Sequence, residues 1–385
     1  MTTQAVAAIA NGRVLTSRGF VDDVAVLVGG GRIVDLVDAG DARLRSMPVH
    51  DLRGNILAPG FIDCQVNGGG GLLFNDVPTV ETIRRIGAAH RRFGTTGFLP
   101  TLISDRPEVM RAALSAVDAA IAAGLPGVLG VHLEGPYLAE ARRGVHDASH
   151  FSVPGAAEVA LASSLRRGCT LLTVAPECVS DDVLRALVGR GVIVSAGHSA
   201  ATYARARAAL DLGVRGFTHL YNAMTALQGR EPGMVGAALE DRDSWCGVIV
   251  DGQHVHPASL RVALAAKPRG KVFLVTDAMP PVGSDRDEFL LNGEVIRCRD
   301  GRCCDAAGTL AGSCLDMATA VRNCVATLGI EPAEALRMAS TYPAHFLGIA
   351  DQRGAIEPGL AADLVELDGS LVVRGSWIAG DYAAS

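Results

Sequence analysis

Four side chains that can bind a cation or carry a proton close four short apolar runs of this 385-residue chain. Glu134 ends the run Val128–Glu134, His198 the run Val192–His198, His219 the run Val214–His219 and Asp277 the run Val272–Asp277. One glutamate, two histidines and one aspartate make a metal-ligand set with a carboxylate to spare. Neutral imidazole together with carboxylate suits Zn²⁺, with Fe²⁺, Co²⁺ and Mn²⁺ overlapping in preference. Three protein ligands leave one position open for water, whose pKa falls to about 7 on zinc. Asp277 can then take a proton from that water and pass it to a leaving amine. Taken singly, each residue has a plainer explanation. Glu134 would pair with Arg142 or Arg143, Asp277 would cap a turn, and a lone strand-end histidine is usually only hydrogen-bonded. Occurrence of all four at run ends is what points to a metal. His132 lies two residues before Glu134 and points the same way along a strand; a supporting and a purely structural role fit it equally. His50, His90, His150 and His345 lie away from run ends and read as non-catalytic.

These positions need a scaffold that brings several strand ends together. Further apolar runs occur at Phe61–Val66, Thr96–Thr101, Thr170–Ala175 and Cys246–Val250, with longer Ala-, Leu- and Arg-rich helical stretches between runs. Continuous apolar runs alternating with helices are the pattern of buried parallel strands. Eight such units predict an α/β fold, a (β/α)8 TIM barrel, whose C-terminal strand ends form the active face. An open doubly wound sheet is the alternative, but Gly68–Gly71 after the first run lacks the GxGxxG pattern of a dinucleotide turn. The ends of the chain read differently. Val6–Val14, Val24–Val28 and Ile33–Val37 are short strands, as are Asp363–Asp368, Leu371–Val373 and Trp377–Ala379. Neither end buries a core alone. The two are therefore expected to join as a small β-sandwich of residues 1–57 plus 352–385, beside a catalytic barrel of residues 58–351.

Composition narrows the function. The net charge is −6, with no Lys/Arg block, which argues against a nucleic-acid partner. No run of about 18 apolar residues occurs, so no membrane span is expected. The N-terminal Met1–Ala10 lacks the basic region of a signal peptide. Nine cysteines without CxxC spacing, Cys303 and Cys304 being adjacent, read as reduced thiols of a cytoplasmic protein and a passive loop. Glycine makes up 11.7% (45/385) with no collagen period, which means many tight turns.

The segments FIDCQVNGGGG, VHLEGPYL, GVH at Gly144–His146, SAGHSAAT, FTHLYNAM, VDGQHVHP, LVTDAM and GTLAGS occur in this order, and GAIEPGLAADLVELD closes the chain. Together they resemble the N-acetylglucosamine-6-phosphate deacetylase family, a branch of the amidohydrolase superfamily. The resemblance implies hydrolysis of the acetamido group of N-acetylglucosamine 6-phosphate to glucosamine 6-phosphate and acetate. It implies Glu134, His198 and His219 as ligands of one divalent metal per subunit. It implies Asp277 as general base and acid attending a metal-bound water, with His146 polarising the acetamido carbonyl beside the metal. It carries substrate contacts to Val145, His146, Asn222, Ala223, Arg230, Asp251, His254, Leu310, Ala311 and Gly312, with Arg230 and His254 on the phosphate. It also implies a homodimer that shares the phosphate site. Many members of the superfamily carry His-x-His in strand one; here the pair is Gln65 and Asn67, which predicts a single metal and two hydrogen-bonding amides.

Overall fold

The computed structural model describes residues 6–385; Met1 to Ala5 of the N-terminal segment lie outside the described residues. Eight strands form one sheet in chain order: β1 (Phe61–Val66), β2 (Thr95–Ile103), β3 (Gly130–Glu134), β4 (Cys169–Val174), β5 (Ile193–Ala196), β6 (Gly216–Phe217), β7 (Trp245–Val248) and β8 (Val272–Leu274). All eight expected runs become strands. The sheet closes through a parallel bridge between Val66 and Ala278, where the Asn67 amide donates to the Ala278 carbonyl at 2.9 Å. The architecture is the expected (β/α)8 barrel. Its strands are buried on both faces because helices cover them outside and side chains fill them inside. The intervening helices carry their own start signals. The helix Asp181–Gly189 is capped by Ser180, whose hydroxyl accepts from the Val183 amide, and it buries Leu184 and Leu187.

The barrel interior holds a polar belt. His132 lies between the hydroxyls of Thr101 (3.2 Å) and Thr173 (2.8 Å), and Thr173 continues to Thr218 and Thr218 to Ser195. Burial holds the His132 imidazole down at about 4, against the opposing charge of Glu134, so the ring is neutral.

The chain divides into two compact units, one of Cys64–Ala89 and Phe98–Asp316, the other of Met1–Asp63, His90–Gly97 and Met317–Ser385. In the second, strands from both chain ends share a six-stranded sheet. Ile56–Pro59 lies between Arg13–Thr16, which runs parallel to it, and Leu364–Leu367, which runs antiparallel. A four-stranded sheet of N-terminal strands completes this part, and Ile9, Val14, Leu57, Leu364 and Trp377 share its core. The helices Met317–Leu328, Pro332–Ala339 and Thr341–Leu347 belong to this unit, and Arg337 donates to the Thr16 carbonyl at 3.1 Å.

Three local expectations differ. The run Val6–Val14 breaks into Ala7–Ala10 and Arg13–Thr16, which enter different sheets. Asn11 takes a left-handed backbone (φ 61°), and a Cβ on Gly12 would meet Leu52 at 2.7 Å. Near the C-terminus, Leu371 and Ala379 are left-handed turn residues, so the strands are Val373–Ile378 and Asp381–Ala384. The stretch after β8, read as a passive loop, is a four-stranded antiparallel flap: β9 (Glu288–Leu291), β10 (Glu294–Arg299), β11 (Arg302–Cys304) and β12 (Leu310–Ser313). Its register sets Cys298 directly opposite Cys303, and the two form a disulfide where free thiols were expected.

Leu57 is fully buried in the strand that joins the two chain ends. Leu57→Ala should destabilise the protein by about 2–5 kcal/mol, read as a lower urea midpoint; an unchanged midpoint would contradict the central place of this strand.

Candidate metal centre and active site

The strand ends bring Glu134, His198 and His219 to one point. Glu134 Oε1 lies 3.0 Å from His219 Nε2 and 3.3 Å from His198 Nε2, and the two imidazole nitrogens are 3.0 Å apart. Donors of a tetrahedral site with bonds of about 2.0–2.1 Å stand about 3.3 Å apart, so this triangle fits one face of a first-row metal site. His198 Nδ1 donates to the Arg142 carbonyl at 2.9 Å, which fixes the tautomer and turns the Nε2 lone pair to the centre. All three residues are buried. Burial pushes the Glu134 carboxyl up, but the adjacent imidazoles of His198 and His219 hold it well below the usual carboxylate range.

Asp277 stands beside this triangle. Gln65 Nε2 donates both to Glu134 Oε1 (3.0 Å) and to Asp277 Oδ1 (3.1 Å), and Asn67 Nδ2 donates to Asp277 Oδ1 at 2.7 Å. The strand-one pair therefore reaches the site through its amide nitrogens, as hydrogen-bond donors. Both bonds fall on Oδ1, so Oδ2 is uncommitted among the described residues of the cavity. Burial and the neighbouring Glu134 charge raise the Asp277 carboxyl, against His219, His254 and the Asn67 bond.

Backbone strain is concentrated here. His198 (φ 46°), His219 (φ 34°), Ala223 (φ 49°) and Asp277 (φ 53°) are all left-handed, which costs of order 1–3 kcal/mol each in an L-residue. The flap braces one of them. Ser313 donates its amide to the Asp277 carbonyl at 2.8 Å, and a Cβ on Gly312 (φ 60°) would meet that same oxygen at 2.8 Å. Only glycine fits there.

His146 enters from the loop after β3. Its Nδ1 accepts from the Ser104 amide at 3.3 Å and contacts the Ser104 hydroxyl at 2.9 Å. The proton of the neutral ring is thus on Nε2. Burial, reinforced by His198, holds this imidazole down at about 3, so it is an uncharged donor.

Glu134, His146, His198, His219 and Asp277 line a cavity of about 380 Å³ with Asn67, Val145, Asn222, Ala223, His254, Leu310 and Gly312, a size suited to a small polar ligand. Three sequence-predicted contacts lie elsewhere. Asp251 does not line the cavity. Its Oδ2 accepts a hydrogen bond from His254 Nδ1 at 2.6 Å and its Oδ1 accepts from two loop amides, so it orients His254. Ala311 is fully buried and packs with Leu291 and Ile296, because strand alternation turns it away from Leu310 and Gly312. Arg230 is exposed and outside this cavity. The flap instead supplies Arg302, which sequence reading missed and which makes no ion pair among the described residues. Ser104, too, was missed; its only sequence signal is a polar residue just past the end of β2.

Comparison with known proteins places this geometry among relatives. The Amidohydrolase family model matches residues 56–382. The chain is 46% identical over 377 residues to an N-acetylgalactosamine-6-phosphate deacetylase of Shewanella sp. (strain ANA-3), covering 97% of this chain and 95% of that protein. It is similar to the crystal structure of N-acetylglucosamine-6-phosphate deacetylase from Pasteurella multocida, with a TM-score of 0.95 at 35% identity over 98% of this chain and 99% of that one. It is also similar to the Mycobacterium smegmatis N-acetyl-D-glucosamine-6-phosphate deacetylase variant in complex with N-acetyl-D-glucosamine-6-phosphate. There the TM-score is 0.89 at 30% identity, over 99% of this chain and all of that one.

The triangle predicts about one tightly held divalent ion per chain. Glu134→Ala, His198→Ala and His219→Ala should each strip it, whereas Asn67→Ala should retain it. Elemental analysis of the purified folded variants reads this, and full metal content in the three ligand variants would contradict the site.

Proposed function

The chain belongs to the amidohydrolase family, and on that premise we propose that it hydrolyses the 2-acetamido group of N-acetylglucosamine 6-phosphate, yielding glucosamine 6-phosphate and acetate. The observation that carries this reading is Asp277, held by two amides with one oxygen free beside the Glu134–His198–His219 triangle. That is a proton carrier placed next to a cation site, which is what amide hydrolysis needs.

Glu134, His198 and His219 would hold a divalent ion, which would supply a Lewis acid that lowers the pKa of water and polarises a carbonyl. Its charge would offset that of Glu134 and favour the ionised form of Asp277. Asp277 Oδ2 accepts a proton from the attacking water as the new C–O bond forms. His146 donates Nε2–H to the acetamido oxygen, where negative charge builds. Asp277 then returns the proton to the 2-nitrogen as the C–N bond breaks. Gln65 and Asn67 keep Asp277 oriented through both transfers. His254, aligned by Asp251, meets the phosphate, and Asn222, Ala223, Leu310 and Gly312 border the sugar.

Arg230 completes the phosphate site from a second copy of the chain, in a homodimer. Its exposure outside its own cavity supports this reading. No helix among the described residues is long and apolar enough to cross a membrane. A charged sugar phosphate is retained inside cells, which supports a cytoplasmic place.

The 46% identity to the Shewanella protein favours a second reading, N-acetylgalactosamine 6-phosphate as the preferred epimer. Comparison of kcat/KM on the two phosphorylated sugars decides between them.

Asp277→Asn should keep its metal and lose turnover by about 10²–10⁴-fold; activity within a few-fold of wild type would remove Asp277 from proton transfer. Arg230→Ala should raise KM for the phosphorylated sugar and leave the unphosphorylated one unaffected. Mixed dimers of Asp277→Asn with Arg230→Ala should regain one full site, since the first protomer lends its arginine to the second. Failure to recover the wild-type KM in mixed dimers would place Arg230 outside a shared site.

A further inference from the structure

The flap carries a second reactive cluster that the hydrolytic reading does not use. Cys298 on β10 and Cys303 on β11 form a disulfide, and the Sγ of Cys314, just past β12, lies within 4.8 Å of both. The three sulfurs share one face of the flap. That face packs against Ile103, Met279 and Val145, which also line the cavity. Cys303 is fully buried, whereas Cys298 and Cys314 are half-buried. Cys304 belongs to the same strand but to neither the disulfide nor this cluster.

We propose that Cys298, Cys303 and Cys314 form a thiol–disulfide exchange site that controls the flap, with Cys314 as the attacking thiol. In the exchange, Cys314 gives up its proton and its Sγ bonds to Cys303 Sγ. The Cys298–Cys303 bond breaks, and its electron pair leaves on Cys298 Sγ, which takes a proton. No oxidant is consumed. Cys298 is the better leaving group because its half-exposed sulfur can be solvated as a thiolate. Burial pushes the Cys314 thiol up, so the thiolate fraction at neutral pH is small and the exchange is slow. An external dithiol resets the site: it becomes a disulfide and delivers two electrons and two protons to two flap thiols.

Exchange moves the cross-link. In the structure it ties β10 to β11 inside one hairpin. Afterwards it ties β11 to the residue following Ser313, whose amide holds the Asp277 carbonyl and whose hydroxyl donates to the Thr276 carbonyl at 2.6 Å. The same strand β11 carries Arg302 to the cavity. The redox partner class is therefore a low-molecular-weight thiol or disulfide, and the reporter is substrate affinity.

The sequence makes the exchange readable. Trypsin cuts after Arg297, Arg299 and Arg302, so Cys298 leaves in the dipeptide Cys298–Arg299, and Cys303 and Cys314 in the peptide Cys303–Arg322. In a Cys304→Ser background, protein is equilibrated with glutathione disulfide, alkylated and mapped by mass. The parent should yield the dipeptide cross-linked to the longer peptide, together with the internally bridged longer peptide. Adding Cys298→Ser should leave only the internal Cys303–Cys314 bridge, and adding Cys314→Ser only the cross-linked dipeptide. A Cys298→Ser form whose two remaining thiols alkylate fully, or carry only glutathione adducts, would overturn the proposal. Protection of three reduced thiols by a bound zinc ion would overturn it as well. Oxidised and dithiothreitol-reduced parent should differ in KM by about threefold or more, as expected of a flap that gates a cavity. Exchange with an unchanged KM would overturn the control of the flap. The KM arm rests on the deacetylase reading, whereas the peptide map does not, so failure of one is distinguishable from failure of the other.

Discussion

Everything at the mouth of the barrel answers to one constraint: three ligand atoms of like electron-donating character must be held within about 3 Å of one another. A carboxylate oxygen and two imidazole nitrogens do not assemble in a buried place without a cation or shared protons between them. The surrounding structure maintains that arrangement. The Arg142 carbonyl sets the His198 tautomer, and Gln65 holds Glu134. Left-handed backbones at His198 and His219 turn the side chains inward, and eight closed strands keep those backbones from relaxing.

The remaining groups divide the work by protonation state. His146 is kept neutral and presents Nε2–H because Ser104 takes up its other nitrogen. Asp277 is braced through Oδ1 and through its carbonyl, which leaves Oδ2 uncommitted among the described residues. His132, two residues from Glu134, faces a ring of hydroxyls and does not line the cavity. Two histidines with low proton affinity thus serve opposite purposes: one is spent on packing and the other points into the cavity.

Much of this was legible in the sequence. All eight barrel runs and the four chemistry-bearing strand ends follow from apolar runs that stop at a charged or imidazole residue. The same patterning could not show the flap. Its strands are short and charged, with exposed residues such as Glu294, Arg299 and Arg302, so the apolar signal that marks a strand is missing. Pairing also decides what no single strand reveals. Opposition of Cys298 to Cys303 depends on register, and the break at Asn11–Gly12 depends on a contact with Leu52. The amide pair Gln65 and Asn67 was identified by residue type, but its bonds to Glu134 and Asp277 link positions 69 to 212 residues apart. Asp251 shows the converse limit, since its motif pointed to the substrate and its carboxylate is used to hold His254.

The central claim is that the Glu134–His198–His219 centre makes this chain a metal-dependent deacetylase of a phosphorylated amino sugar. Acetate release from N-acetylglucosamine 6-phosphate and from unphosphorylated N-acetylglucosamine tests it most directly, with protein as purified, after chelation, and after Zn²⁺ is restored. The account predicts release that favours the phosphorylated sugar, falls away on chelation and returns with the ion. Equal rates on both sugars, or release that persists at full rate in the chelated protein, would contradict it.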